Sequence, residues 1–171
     1  MGTESMGFEI IVILLLIIAN GIFAMTEIAI VSAKKVRLEN LAGKGSAGAQ
    51  RALQLANEPT QLLSTIQVGI SVISTFTGAF GGATIAEILA ANFSTIPALA
   101  PYSGAIALAI VVTVITYLSL ILGELVPKRI ALNNPEGIAV KVAAPINVFA
   151  KIVAPLVHLL SGSTELVLKI M

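Results

Sequence analysis

The sequence predicts an all-α membrane protein with three transmembrane helices, a cytoplasmic helical hairpin and an amphipathic juxtamembrane belt helix. Three observations predict it. Hydrophobic residues make up 57% of the 171 residues and charged residues only 11%, at a mean hydropathy of +0.99, whereas about a quarter of a soluble domain is charged. Apolar runs recur at lengths that match the hydrocarbon core of a bilayer. Basic residues gather on alternate connections between those runs.

The first span is expected at about 10–32. Ile10 to Met25 is interrupted only by Asn20 and Gly21, and the pattern continues past Glu27 to Ser32. A cleaved signal peptide would need a basic leader, whereas Glu4 and Glu9 stand here without Lys or Arg. The second span is expected at about 62–91 and the third at about 104–124, with no charge from Gly104 to Leu122. Between the first two spans, at about 34–58, Val36–Ala42 and Ala47–Ala56 read as two short helices. Gly43-Lys44-Gly45-Ser46 supplies the turn, and Asn57-Glu58-Pro59 breaks the chain before the second span.

The belt helix is expected at about 135–171. Pro135-Glu136 opens it, and Pro145 and Pro155, which lack an amide donor, should bend it. Lys151, His158, Glu165 and Lys169 recur at intervals of seven, seven and four, one face of a helix in the interface plane. The alternative is a fourth full span, but Val142–Ala150 and Ile152–Leu160 are each shorter than the bilayer is thick.

Orientation follows from the loops. Lys34, Lys35, Arg37, Lys44 and Arg51 lie between spans one and two, whereas Asn92 to Ser103 holds no basic residue, and Lys128 and Arg129 follow span three. Basic loops resist translocation, so the hairpin belongs to the cytoplasm and the N-terminus to the outside of a multi-pass cell-membrane protein. A net charge of +1 gives no reason to expect nucleic acid. Cysteine is absent, which leaves oxygen groups and His158 as the available metal ligands.

The chemistry must lie with polar groups inside the spans. A carboxylate at the membrane centre costs roughly 2.5–3.5 kcal/mol even on insertion scales. Glu27 and Glu124 are therefore site candidates. Asn20, Ala24 and Glu27 share a helical face, with Thr26 beside Glu27. In Gly123-Glu124-Leu125-Val126-Pro127-Lys128, Pro127 cannot donate to the Gly123 carbonyl, which becomes a ligand next to an acid. The plainer reading has both acids reaching headgroup water, with Glu124 paired to Lys128 one turn on.

Span two adds Ser71, Ser74 or Thr75, Gly78 and Gly82 on one face, with Gln67 one turn earlier. The glycines, Gly81 among them, read as a packing seam. Thr113, Thr116 and Ser119 read as packing or self-bonded hydroxyls, His158 as interfacial and Glu87 as close to the outer headgroups. Thr26, Glu27, Ser71, Ser74, Glu124 and the Gly123 carbonyl then form an all-oxygen ligand set, supported by Asn20, Gln67, Pro127 and Lys128. Hard cations such as Mg²⁺ and Na⁺ prefer oxygen, whereas zinc and copper favour His or Cys. No nucleophile and base are paired, so no enzyme is expected.

Three runs carry a resemblance: Asn20 to Lys35 with Thr26-Glu27 at its centre, Thr65-Ile-Gln67-Val-Gly69-Ile-Ser71, and Gly123-Glu-Leu-Val-Pro127-Lys128. In that order they resemble the transmembrane domain of the CNNM/CorC magnesium-transporter family, also catalogued as hemolysin-like, from about Ile10 onward. The resemblance implies three spans, a belt helix, a homodimer and Mg²⁺ efflux, coupled to Na⁺ in several members; alternating access is the mechanism expected. Many members have Ser where this chain has Ala24, and Asn in span two where it has Ile70, Ser71 and Ser74; Thr26, Ser71 and Ser74 would replace those ligands with hydroxyls. Members usually continue into cytoplasmic CBS domains that bind adenine nucleotide, so this sequence is expected to be a piece of such a protein. Two other roles fit the residues: export of an organic cation such as a polyamine, or a membrane anchor and dimerisation platform for a cytoplasmic sensor. An anchor would tolerate Gln at both glutamates.

Overall fold

The computed structural model describes residues 2–80 and 85–170, with side chains over 7–80, 85–164 and 166–170. The protein is all-α, as expected. Eight α-helices are described: α1 (Gly2–Ser32), α2 (Lys35–Gly43), α3 (Ala47–Asn57), α4 (Pro59–Phe80), α5 (Ala86–Ser94), α6 (Ser103–Leu120), α7 (Val126–Asn133) and α8 (Pro135–Ile170). A 3₁₀ turn over Ala100–Tyr102 precedes α6, and a π-helical turn over Ile121–Leu125 joins α6 to α7. Gly81 and Gly82 of the small-residue seam, and the Glu165 side chain, lie outside the described residues.

By length and composition four helical stretches, rather than three, can cross a membrane: Gly7–Ser32, Pro59–Phe80, Ala100–Asn133 and Pro135–Ile170. The fourth is the stretch expected as a belt. Pro145 and Pro155 do not end it, and α8 runs through both for 36 residues. Both prolines are exposed, so neither ring is pressed into packed chain. The second span, expected as one helix to about Ala91, is described as α4 to Phe80 and α5 from Ala86.

The chain forms two compact units, Met1–Ile22 with Ser71–Pro127 and Phe23–Ile70 with Lys128–Met171. In the first, α1 buries Ile13, Ile17 and Gly21 at intervals of one helical turn. Ile11, Leu14, Leu15 and Ile18 remain exposed. On α6 only Ala107 and Val111 are buried, while Leu108, Ile110, Val112 and Val114 are exposed. Most of these apolar surfaces meet no protein. A bilayer covers such surfaces, and the few buried small residues are where membrane helices touch.

The second unit has the denser core. Ala29, Ile30, Leu38, Ala52, Leu62, Ile66, Ala139 and Ala143 cluster there, and alanine lets helices approach. At Gly48 on α3 an added Cβ would lie 2.5 Å from the Val140 carbonyl oxygen of α8. The Phe23 ring meets Phe149 edge-on at 4.9 Å, a favoured aromatic geometry.

The hairpin forms where the sequence places it. Gly45 takes a φ of +90° in the turn, a left-handed conformation that glycine adopts without penalty. Ser46 then caps α3, its hydroxyl accepting from the Ala49 N–H at 3.2 Å. Asn134 caps α8 in the same way, its Oδ1 accepting from the Gly137 N–H at 3.1 Å, and Pro135 occupies the first helical position, where no donor is needed.

Glu136, buried in the first turn of α8, ties the start of α2 to that cap. Its Oε1 accepts from the Lys34 backbone N–H at 3.2 Å and its Oε2 pairs with Arg37 at 3.5 Å. The two contacts differ in weight. A lost charge-assisted hydrogen bond at a part-buried N–H costs about 1–3 kcal/mol, whereas an ion pair whose arginine is 64% exposed contributes under about 1 kcal/mol. Glu136→Ala should therefore lower the melting temperature in detergent clearly more than Arg37→Ala does; equal losses would refute the capping role.

Candidate functional site

Pro127 organises the polar end of the first unit. In an α-helix the Gly123 carbonyl would take the N–H of residue 127, which proline lacks, and its ring would crowd that oxygen. The chain widens into the π turn instead. Val126 then donates to the Ile121 carbonyl rather than to Leu122. The π partner of Leu122 would be residue 127, again the proline. Two consecutive carbonyls, Leu122 and Gly123, thus lose their α-helical donors.

One is met by a side chain from far away in sequence. Asn20 Nδ2 donates to the Gly123 oxygen at 3.1 Å. The approach is close on both sides: a Cβ on Gly21 would lie 2.9 Å from Pro127 Cγ and 3.0 Å from the Leu122 oxygen, and one on Gly123 would lie 3.2 Å from the Ile17 oxygen. Gly21, Gly123 and Pro127 are buried. Glycine at both crossing points lets backbone meet backbone.

The other end of the same amide is an orphan. Asn20 Oδ1 is buried without a hydrogen-bond partner, and a buried acceptor without a donor needs an explanation. The Gly123 carbonyl is held by the same amide, the Leu122 oxygen lies against Gly21, and Glu124, partly buried, follows Gly123 in the chain. The cluster is rich in oxygen and carries one carboxylate. Glu9 Oε2 is the other orphan among the described side chains, but it lies about three helical turns before Asn20 on α1.

The structure therefore brings together Asn20, Gly123 and Pro127, with Glu124 adjacent. The Gly123 carbonyl, expected as an open ligand, already accepts from Asn20. Ser71 and Ser74 belong to the same unit but are exposed on α4, and the Ser71 carbonyl accepts from Thr75 Oγ1 at 2.8 Å. Thr26, buried, and Glu27, partly buried, belong to the second unit, as do Gln67 and Lys128. Thr113 bonds back to its own helix at the Ala109 carbonyl, 2.7 Å, as its reading anticipated. His158 is exposed, its Nδ1 2.7 Å from the Ala154 carbonyl.

Among the described residues no three His, Cys, Asp or Glu side chains come together. Of the residues brought together in this unit, Glu124 is the acid and the others offer neutral oxygens. Sequence reasoning named Asn20 only as support and missed Gly21 and the Leu122 carbonyl. Counting both α and π partners of a proline would have found the latter.

A family model described as the cyclin M transmembrane N-terminal domain matches residues 10–171. The chain is 51% identical over 170 residues to a UPF0053 protein of Synechocystis, covering 99% of this chain and 38% of that protein. It is 31% identical over 159 residues to the UPF0053 protein YrkA of Bacillus subtilis, covering 93% and 37%. It is 30% identical over 152 residues to a protein of Haemophilus influenzae named polyamine export protein, covering 86% and 34%. The chain thus spans little more than a third of the length of these curated relatives.

Proposed function

Because this chain belongs to the cyclin M (CNNM) transmembrane-domain family, we propose that it is the membrane part of a transporter exporting Mg²⁺. The supporting observation is the cluster at the π turn, where Asn20 Oδ1 stands buried without a donor on the amide that holds the Gly123 carbonyl, and the Glu124 carboxylate follows. Mg²⁺ sheds water reluctantly and takes oxygen ligands in a fixed geometry. Carbonyls held by a rigid crossing and a neighbouring carboxylate meet that requirement. A soft metal finds no Cys, since the sequence has none.

In this reading Mg²⁺ enters from the cytoplasmic side, exchanges water for the cluster's oxygens, and leaves outward as the helices rearrange, with Na⁺ as the coupling ion. The protein works as a homodimer in the cell membrane with its N-terminus outside. Thr26, Glu27, Ser71 and Ser74, the other oxygen donors named from the sequence, are candidates for the ion's route rather than for this cluster.

A second reading has a specific observation behind it. One relative is named a polyamine export protein, and a cluster with one carboxylate suits an ammonium as well as a metal ion. Titration calorimetry with Mg²⁺, Mn²⁺, Na⁺ and spermidine on the purified chain separates the two. Saturable heat with Mg²⁺ that Mn²⁺ competes for and spermidine does not is the expected result. Spermidine binding without Mg²⁺ heat would overturn the magnesium reading in favour of the polyamine one.

A further inference from the structure

In the second unit a cavity of about 410 Å³ opens between α3, α4 and α8. Its polar lining comes from three separate helices: Arg51 and Gln54 from α3, Glu58 and Gln61 where α4 begins, and Asn147 and Lys151 from α8. A second cavity of about 290 Å³ shares Gln61 and extends the groove along α8 to His158 and Ser161. Neither belongs to the cluster at the π turn. We propose that this groove binds the phosphate headgroup of an anionic phospholipid.

The charges favour an anion. Arg51 and Lys151 face one carboxylate, Glu58, so the lining is net positive, and the three amides add neutral donors. A guanidinium offers a planar fork of N–H groups to phosphate, an ammonium a point charge, and the amide N–H groups reach the remaining oxygens. The cavity exceeds what a bare phosphate fills and leaves room for the ester-linked headgroup beyond it.

Position favours a lipid over a soluble anion. The groove lies where the polar hairpin ends and the apolar run of α4 starts at Leu62, with Leu62 itself in the lining. On α8, Val148, Ile152 and Leu156 are exposed at one-turn spacing beside Lys151, an apolar stripe next to a basic pocket. Acyl chains cover such a stripe while the phosphate sits in the pocket; a soluble phosphate leaves it bare. Basic pockets between membrane helices on the side that carries the basic loops are where anionic headgroups collect. The inference does not depend on which cation the protein moves.

Thermal unfolding of the chain in neutral detergent tests it with three probes: dioctanoyl phosphatidylglycerol, dioctanoyl phosphatidylcholine and glycerol 3-phosphate. Phosphatidylglycerol should raise the melting temperature in a saturable way and more than phosphatidylcholine, because a ligand of the native state stabilises it by mass action. The difference should vanish in Arg51→Gln/Lys151→Gln, shrink in each single variant should the double one not fold, and persist in Lys44→Gln, which changes an exposed basic residue of the hairpin turn. Equal shifts from the two lipids in the unaltered chain, or a phosphatidylglycerol preference that survives the double substitution, would overturn the proposal. An equal shift from glycerol 3-phosphate would overturn the lipid assignment and give the groove to a soluble phosphate.

Discussion

Glu124→Gln is expected to abolish Mg²⁺-dependent stabilisation while the domain still folds. Gln keeps the shape of the side chain and one carbonyl oxygen but removes the charge, and the proposed cluster has a single carboxylate. At a Mg²⁺ concentration of one hundred times Kd, a ligand of the native state adds about 2.7 kcal/mol. That gain should be lost in the variant. Pro127→Ala should act by another route. The new N–H competes with Asn20 Nδ2 for the Gly123 oxygen, and Mg²⁺ stabilisation should fall while the metal-free chain melts no lower. Melting curves of the three proteins with and without Mg²⁺ decide the matter. Equal Mg²⁺ stabilisation in all three would remove this motif from the site, and a membrane anchor would give that result.

Gly48→Ala is expected to give the largest loss of stability from a single added methyl group. The new Cβ would lie 2.5 Å from the Val140 oxygen and 2.8 Å from Val140 Cγ1, and the oxygen is backbone of α8, which cannot swing aside as a side-chain tip can. Either α3 moves off α8 or α8 bends. Overpacking of this kind costs about 1–3 kcal/mol, occasionally more. The hairpin should also become a protease target at its Gly43–Ser46 turn. Gly43→Ala is the control, since a Cβ there meets nothing within 4 Å, and it should melt within a degree or two of the unaltered chain. A Gly48→Ala protein that melts with its control would show that α3 does not approach α8 as described.

Much of this fold could be read because local chemistry decides it. The hairpin helices were expected at Val36–Ala42 and Ala47–Ala56 and are found at Lys35–Gly43 and Ala47–Asn57, since glycine, a serine cap and a proline act on their immediate neighbours. What could not be read depends on partners distant in sequence. Asn20 and Gly123 stand 103 positions apart, and nothing local to Gly123 says that an amide will replace the donor Pro127 lacks. Lys34 and Glu136 are 102 apart, so Glu136 read only as a helix opener. The helix at 135–171 was expected, but its spanning length was discounted because each apolar run between the prolines was weighed alone. Proline removes one donor but ends a helix only if the flanking turns give nothing in return, and both prolines of α8 are exposed.

The π turn also bears on which lengths of this chain a family of sequences can tolerate. An α-helix rotates by about 100° per residue, so one residue deleted from α6 would carry every following side chain to a different face and move Gly123 and Pro127 away from Asn20 and Gly21. Within Ile121–Leu125 the chain already holds one residue more per turn than an α-helix requires. A deletion there is absorbed as a return to regular helix, and an insertion just before it is the event that would create such a turn. The third span can therefore lose one residue within Ile121–Leu125, whereas the same loss within α6 would break the crossing at Asn20 and Gly21.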